Sequence, residues 1–216
     1  MSYLIGEFRN MLLSIPGIIF IFSFKGFFQS FIATKLGDPT PKNTGRLTMN
    51  PAAHIDLIGF IFIVLFGIGW SKPVQVRTRY FKKIKRDVAI FYLSGPVSCI
   101  ISGFILFFIY SLISFFVPAS MVINIVLQIL FIGCFVALSL AMFYLLPLPG
   151  LDGYYFITNF VPYKYNNVLY NIEKYSMYIF IGFILLLRTT SLGYYLIQLP
   201  ATLLLRFFAF ILSPIL

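Results

Sequence analysis

The stretch FSFKGFFQSFIATKLGDPTPKNTGRLTMNPAAHID, residues Phe22–Asp56, decides how this chain is read. It opens inside an apolar run that starts near Met11, yet Lys25 and Gln29 stand four residues apart, one helical turn and so one helix face. Charge at hydrocarbon depth is costly. An intramembrane lysine therefore faces a partner or a cavity, unless its stem merely snorkels to the interface. Beyond Ala33 the apolar run gives way to a long basic excursion.

Composition sets the class. Of 216 residues, 60% are hydrophobic and only 10% charged, with a mean hydropathy of +0.96, far from the balance of a soluble domain. This predicts an integral membrane protein without a removable signal peptide. Cys99 and Cys134 both fall in apolar segments, which predicts buried free thiols. The net charge of +10 reads, in a membrane chain, as a topology signal and not as a nucleic-acid surface.

Apolar runs predict spans at about 11–33, 88–117, 121–146, 175–187 and 192–212, the fourth short of the roughly 20 residues that a crossing needs. Residues 57–70, LIGFIFIVLFGIGW, are too short and glycine-rich to cross and predict a re-entrant or interfacial element. Ten of the sixteen Lys and Arg residues lie between Lys35 and Arg86, on both sides of that element. Both flanks are then expected in the cytoplasm, with the N-terminus outside and the C-terminus inside. GRLTMNP and KPVQVRTR alternate like short strands and are expected to pair as a small sheet at the membrane surface. The run Arg77 to Arg86, with Tyr80 and Phe81, has the composition of a topology signal that also suits anionic lipid headgroups.

One further polar group sits at membrane depth. Asp152 ends the third span in FYLLPLPGLDGYYF, where Pro147, Pro149, Gly150 and Gly153 break the helix, so irregular backbone there must be buried in protein or line a cavity.

FIATKLGDPTPKNTGRLTMNPAAHIDLIGF, GWSKPVQV, FKKIKRDVAIFYLSGPVS and LLPLPGLDGYYF, in that order, resemble the site-2 protease family of intramembrane zinc metalloproteases, in its short prokaryotic form. The resemblance spans roughly residues 22–156 and implies a three-helix core, a re-entrant or sheet-like insertion and a prokaryotic cell membrane. It also implies a His-Glu-x-x-His motif just before SFIATKLGDPT, whose histidines hold zinc and whose glutamate activates water. Aligned through that flank, the positions read Lys25, Gly26, Phe27, Phe28 and Gln29. Asp152 stands at the family's third-ligand position, and Tyr144 replaces an asparagine that would bind substrate backbone or the oxyanion.

The expectation is an all-α polytopic membrane protein, a single membrane domain over 1–216, with no zinc and no catalytic residue. Its function is then that of a pseudoprotease binding a transmembrane client without cleaving it, not that of an enzyme. The client is expected along Gly45, Arg46, Leu47, Thr48, Met49, Asn50 and His54. Lys25 is expected to occupy the vacated cation site and pair with Asp152, with Gln29 completing the hydrogen bonds. Other readings are a scaffold subunit of a larger complex, a metalloprotease with a non-standard site, and a small transporter. The lipid bilayer is a partner in each.

Overall fold

The computed structural model describes residues 2–66 and 69–213, and among these the chain is all-α. The helices are α1 (Ser2–Lys35), α2 (Thr40–Asn43), α3 (Pro51–His54), α4 (Leu57–Phe66), α5 (Ile84–Phe116) and α6 (Met121–Tyr144). They continue with α7 (Asp152–Thr158), α8 (Asn166–Lys174), α9 (Ser176–Thr189) and α10 (Leu199–Leu212), the last entered through a π-turn at Tyr194–Gln198. Among the described residues four stretches are long and apolar enough to cross a membrane: Phe8–Lys35, Ile84–Phe116, Met121–Tyr144 and Tyr194–Leu212. The protein is an all-α polytopic membrane protein. The expected fourth span falls on α9, whose 14 residues extend only about 21 Å at 1.5 Å per residue.

Helices α1, α5 and α6 form the core. Lipid tails are as apolar as leucine, so small residues that admit close backbone approach, together with interlocking side chains, hold such helices together. Ile18, Ile21 and Phe22 of α1 are buried with Cys99 of α5 and Cys134, Ala137, Leu138 and Ala141 of α6. Gly17 of α1 crosses Gly133 of α6 so closely that a Cβ on Gly17 would stand 2.7 Å from the Gly133 Cα. Helical serines are satisfied within their own helix: Ser23 Oγ donates to Ile19 O and Ser30 Oγ to Gly26 O, each at 2.7 Å. The link between α5 and α6 is a short turn, and Ser120 caps α6 by accepting the Ile123 amide at 3.2 Å.

The excursion between α1 and α5 is closed on itself. Asp38, fully buried, accepts the Thr40 amide at 2.9 Å and the Arg77 amide at 2.6 Å, fastening its beginning to its end. Within it, the Lys72 amide donates to His54 O at 2.8 Å, so the chain leaves the 57–70 element beside the point where it entered. Gly59 and Gly69 pass each other with no space for a Cβ on either. Leu57, Ile58, Ile61 and Leu65 of α4 are exposed, an apolar face suited to lipid. Gly67 and Ile68 of that element lie outside the described residues.

The expected small sheet does not form. Among the described residues there is no strand: the chain bends at Leu47 and Thr48, and residues 71–77 form no regular element and have no ladder partner. The reason is local. His54 stands between the two segments, its ring bonded to Thr48 O at 2.7 Å and its carbonyl to the Lys72 amide, and Pro73 has no amide to give.

Candidate functional site

The regular spacing of α1 sets Lys25 and Gln29 on its inward face, where each keeps less than 5% of its surface exposed. The third partner arrives from far along the chain. Helix α6 stops at Tyr144, and the chain turns through Leu145–Leu151, with Gly150 at φ +95, a conformation that glycine adopts without strain. Asp152 is the first residue of α7, and a Cβ on its neighbour Gly153 would meet the Leu145 carbonyl.

The three side chains meet. Lys25 Nζ lies 3.0 Å from Asp152 Oδ2 and donates to Gln29 Oε1 at 3.0 Å, while Gln29 Nε2 donates to Asp152 Oδ1 at 3.2 Å. Oδ2 has no hydrogen bond of good angle, and what it faces is the charge of the ammonium. The Tyr144 ring covers the ammonium at 4.1 Å, so a carboxylate, an amide oxygen and a π-face surround its three N–H donors. The Tyr144 hydroxyl accepts the Ser71 amide at 3.0 Å and lies 3.4 Å from Ser71 Oγ, connecting the site to the 57–70 element.

Two glycines shape this space. A Cβ on Gly95 of α5 would stand 2.7 Å from Gln29 Nε2 and collide with Asp152 Oδ2. A Cβ on Gly26 would collide with the His54 ring, which is fully buried against α1. With Nε2 donating to Thr48 O, the Nδ1 lone pair is left without a partner. Burial lowers the His54 pKa; the Thr48 carbonyl opposes this, and the Arg46 and Lys25 charges add to the depression.

Of the sequence-predicted residues, Lys25, Gln29, Asp152 and Tyr144 converge, and Gly26 and His54 pack beside them. Residues 45–50 form a loop that His54 connects to the site. There Arg46 donates to the Ala53 carbonyl and Asn50 caps α3 by accepting the Ala52 amide at 3.1 Å. Sequence reasoning missed Gly95 and Ser71. The glycine beside Pro96 was visible in SGP, but nothing marked which partner it would crowd.

The chain is 36% identical over 171 residues, 78% of its own length and 76% of the relative's, to a Bacillus subtilis (strain 168) protein named "Putative zinc metalloprotease YwhC". The chain belongs to this site-2 protease-like family. No family model matches it, and no solved structure does. Membership corrects one expectation: a relative named a zinc metalloprotease points to a protease, where sequence reasoning expected a non-enzyme.

The zinc that this site-2 protease-like family implies does not fit the side chains that converge here. Paired with a carboxylate, the Lys25 ammonium has no lone pair to offer, and a glutamine oxygen is a poor zinc ligand. Among the described residues no group of three or more His, Cys, Asp and Glu side chains is placed to hold a metal ion.

Proposed function

We propose that this protein captures an extended segment of a membrane-protein client on the two open arms beside its buried polar centre. The observation that carries the reading is unpaired backbone. Among the described residues the amides of Val74, Gln75 and Val76, and those of Leu47, Thr48 and Met49, have no hydrogen-bond partner. Main chain with free amides offers the donors to which a further strand adds, with side-chain pockets selecting its sequence. Both arms lead to the centre through His54 and through the Ser71–Tyr144 contact. Gly45, Arg46, Leu47, Thr48, Met49 and Asn50 supply one arm and residues 71–77 the other.

In this reading the arms face the cytoplasm, and the exposed side chains of Arg77, Arg79, Lys82, Lys83, Lys85 and Arg86 rest against anionic lipid headgroups. That places the arms at the headgroup level, where a client segment leaves the bilayer.

Photo-crosslinkers at Met49, at Gln75 and, as control, at the exposed Val97 of α5 test this in cells. Capture of membrane proteins at positions 49 and 75 well above position 97 is expected. Equal capture at all three positions would remove the arms as the docking edge, and fragments of captured proteins would report whether hydrolysis follows binding.

A further inference from the structure

We infer that Lys25 is the resident cation of this centre: the protein holds its own ammonium where its relative's name calls for a metal dication. This stands apart from the capture of a client and rests on the side chains alone.

Three observations carry it. The ammonium is enclosed, with Asp152 and Gln29 each at 3.0 Å and the Tyr144 ring at 4.1 Å. The charge is also balanced, because one carboxylate faces one ammonium and Gln29 closes the triangle through Asp152 Oδ1. A dication entering beside Lys25 would leave a buried excess of positive charge, which a low-dielectric interior opposes strongly. Space is the third point. The carboxylate and the amide already fill the space that a Cβ on Gly95 would take, and the His54 ring fills the space that a Cβ on Gly26, the position after the lysine, would take. A glutamate at Gly26 therefore also requires the His54 ring to move.

The geometry also says what would readmit a metal. Lys25→His with Gln29→His places two imidazoles one helical turn apart on α1, opposite the Asp152 carboxylate, a donor set suited to zinc. The test uses the full-length protein in detergent, incubated with zinc, dialysed and assayed by elemental analysis and thermal melting. The wild type is expected to retain substoichiometric zinc, and its Tm to be the same with zinc or chelator. The double variant is expected to retain stoichiometric zinc and to gain Tm with it. Stoichiometric, chelator-removable zinc in the wild type would overturn the inference, as would a folded double variant that still takes up none.

Should that variant fail to fold, a cycle of Lys25→Met, Asp152→Leu and both together decides. The double substitution is expected to lower Tm less than the sum of the singles, and additive losses would overturn the pairing.

Discussion

Asp38 and Asp152 are both carboxylates sheltered at the same end of the molecule, and they are satisfied in opposite ways. Asp38 accepts two backbone amides, from Thr40 and Arg77, and so fastens the excursion shut with groups that every sequence supplies. Asp152 is met by side chains from α1, which other residues could replace. A carboxylate held by main chain is a latch. One held by side chains can change its chemistry while the fold persists, so an internal ion pair is compatible with membership of a family in which a relative is named a putative zinc metalloprotease.

The comparison can be broken most severely at the ion pair. Lys25→Met leaves Asp152 sheltered without its cation and is expected to cost about 3–5 kcal/mol, measured as a drop in thermal stability. Adding Asp152→Leu should recover most of that loss. Next in size is crowding: Gly95→Ala drives a methyl into the carboxylate and the amide, and about 1–3 kcal/mol of destabilisation is expected.

Asp38→Ala sharpens the contrast, since it orphans the Thr40 and Arg77 amides at about 1–3 kcal/mol for a buried group left unsatisfied. Limited proteolysis should then cut between residues 38 and 83 while the membrane helices keep their melting behaviour. Tyr144→Phe keeps the ring over the ammonium and deletes only the bond to Ser71, so a loss of about 1 kcal/mol is expected, with Lys25–Asp152 coupling unchanged.

The smallest effect is a pH dependence through His54. Its folded pKa is lowered by burial, so the stability it contributes is complete above its unfolded value of about 6.5 and is lost as pH falls through the folded value. Wild-type Tm should therefore fall on acidification below about pH 6.5, and a His54→Gln variant should fall less.

Much of the centre was legible before any coordinates. Helical spacing alone set Lys25 and Gln29 on one face, and the resemblance to the site-2 protease family, whose third-ligand position falls on Asp152, pointed to that carboxylate as the partner of Lys25. The small sheet was misread for a physical reason. Alternation in GRLTMNP and KPVQVRTR reports which side chains face inward but not whether two backbones pair, and the intervening His54 holds the segments apart, its ring on the Thr48 carbonyl and its own carbonyl on the Lys72 amide. The roles of Gly95 and Ser71 were not legible because a close approach belongs to the neighbour as much as to the residue.

By itself the sequence determined the membrane class, the apolar helices and the cost of burying Lys25, because periodicity and transfer free energy are properties of neighbouring residues. Only the tertiary structure decided that Lys25, Gln29, Asp152 and Tyr144 share one small volume, and that His54 occupies the space beside Gly26. The contacts of Asp152 and Tyr144 with α1 join positions more than a hundred residues apart, and their geometry depends on how helices cross, which no local pattern encodes.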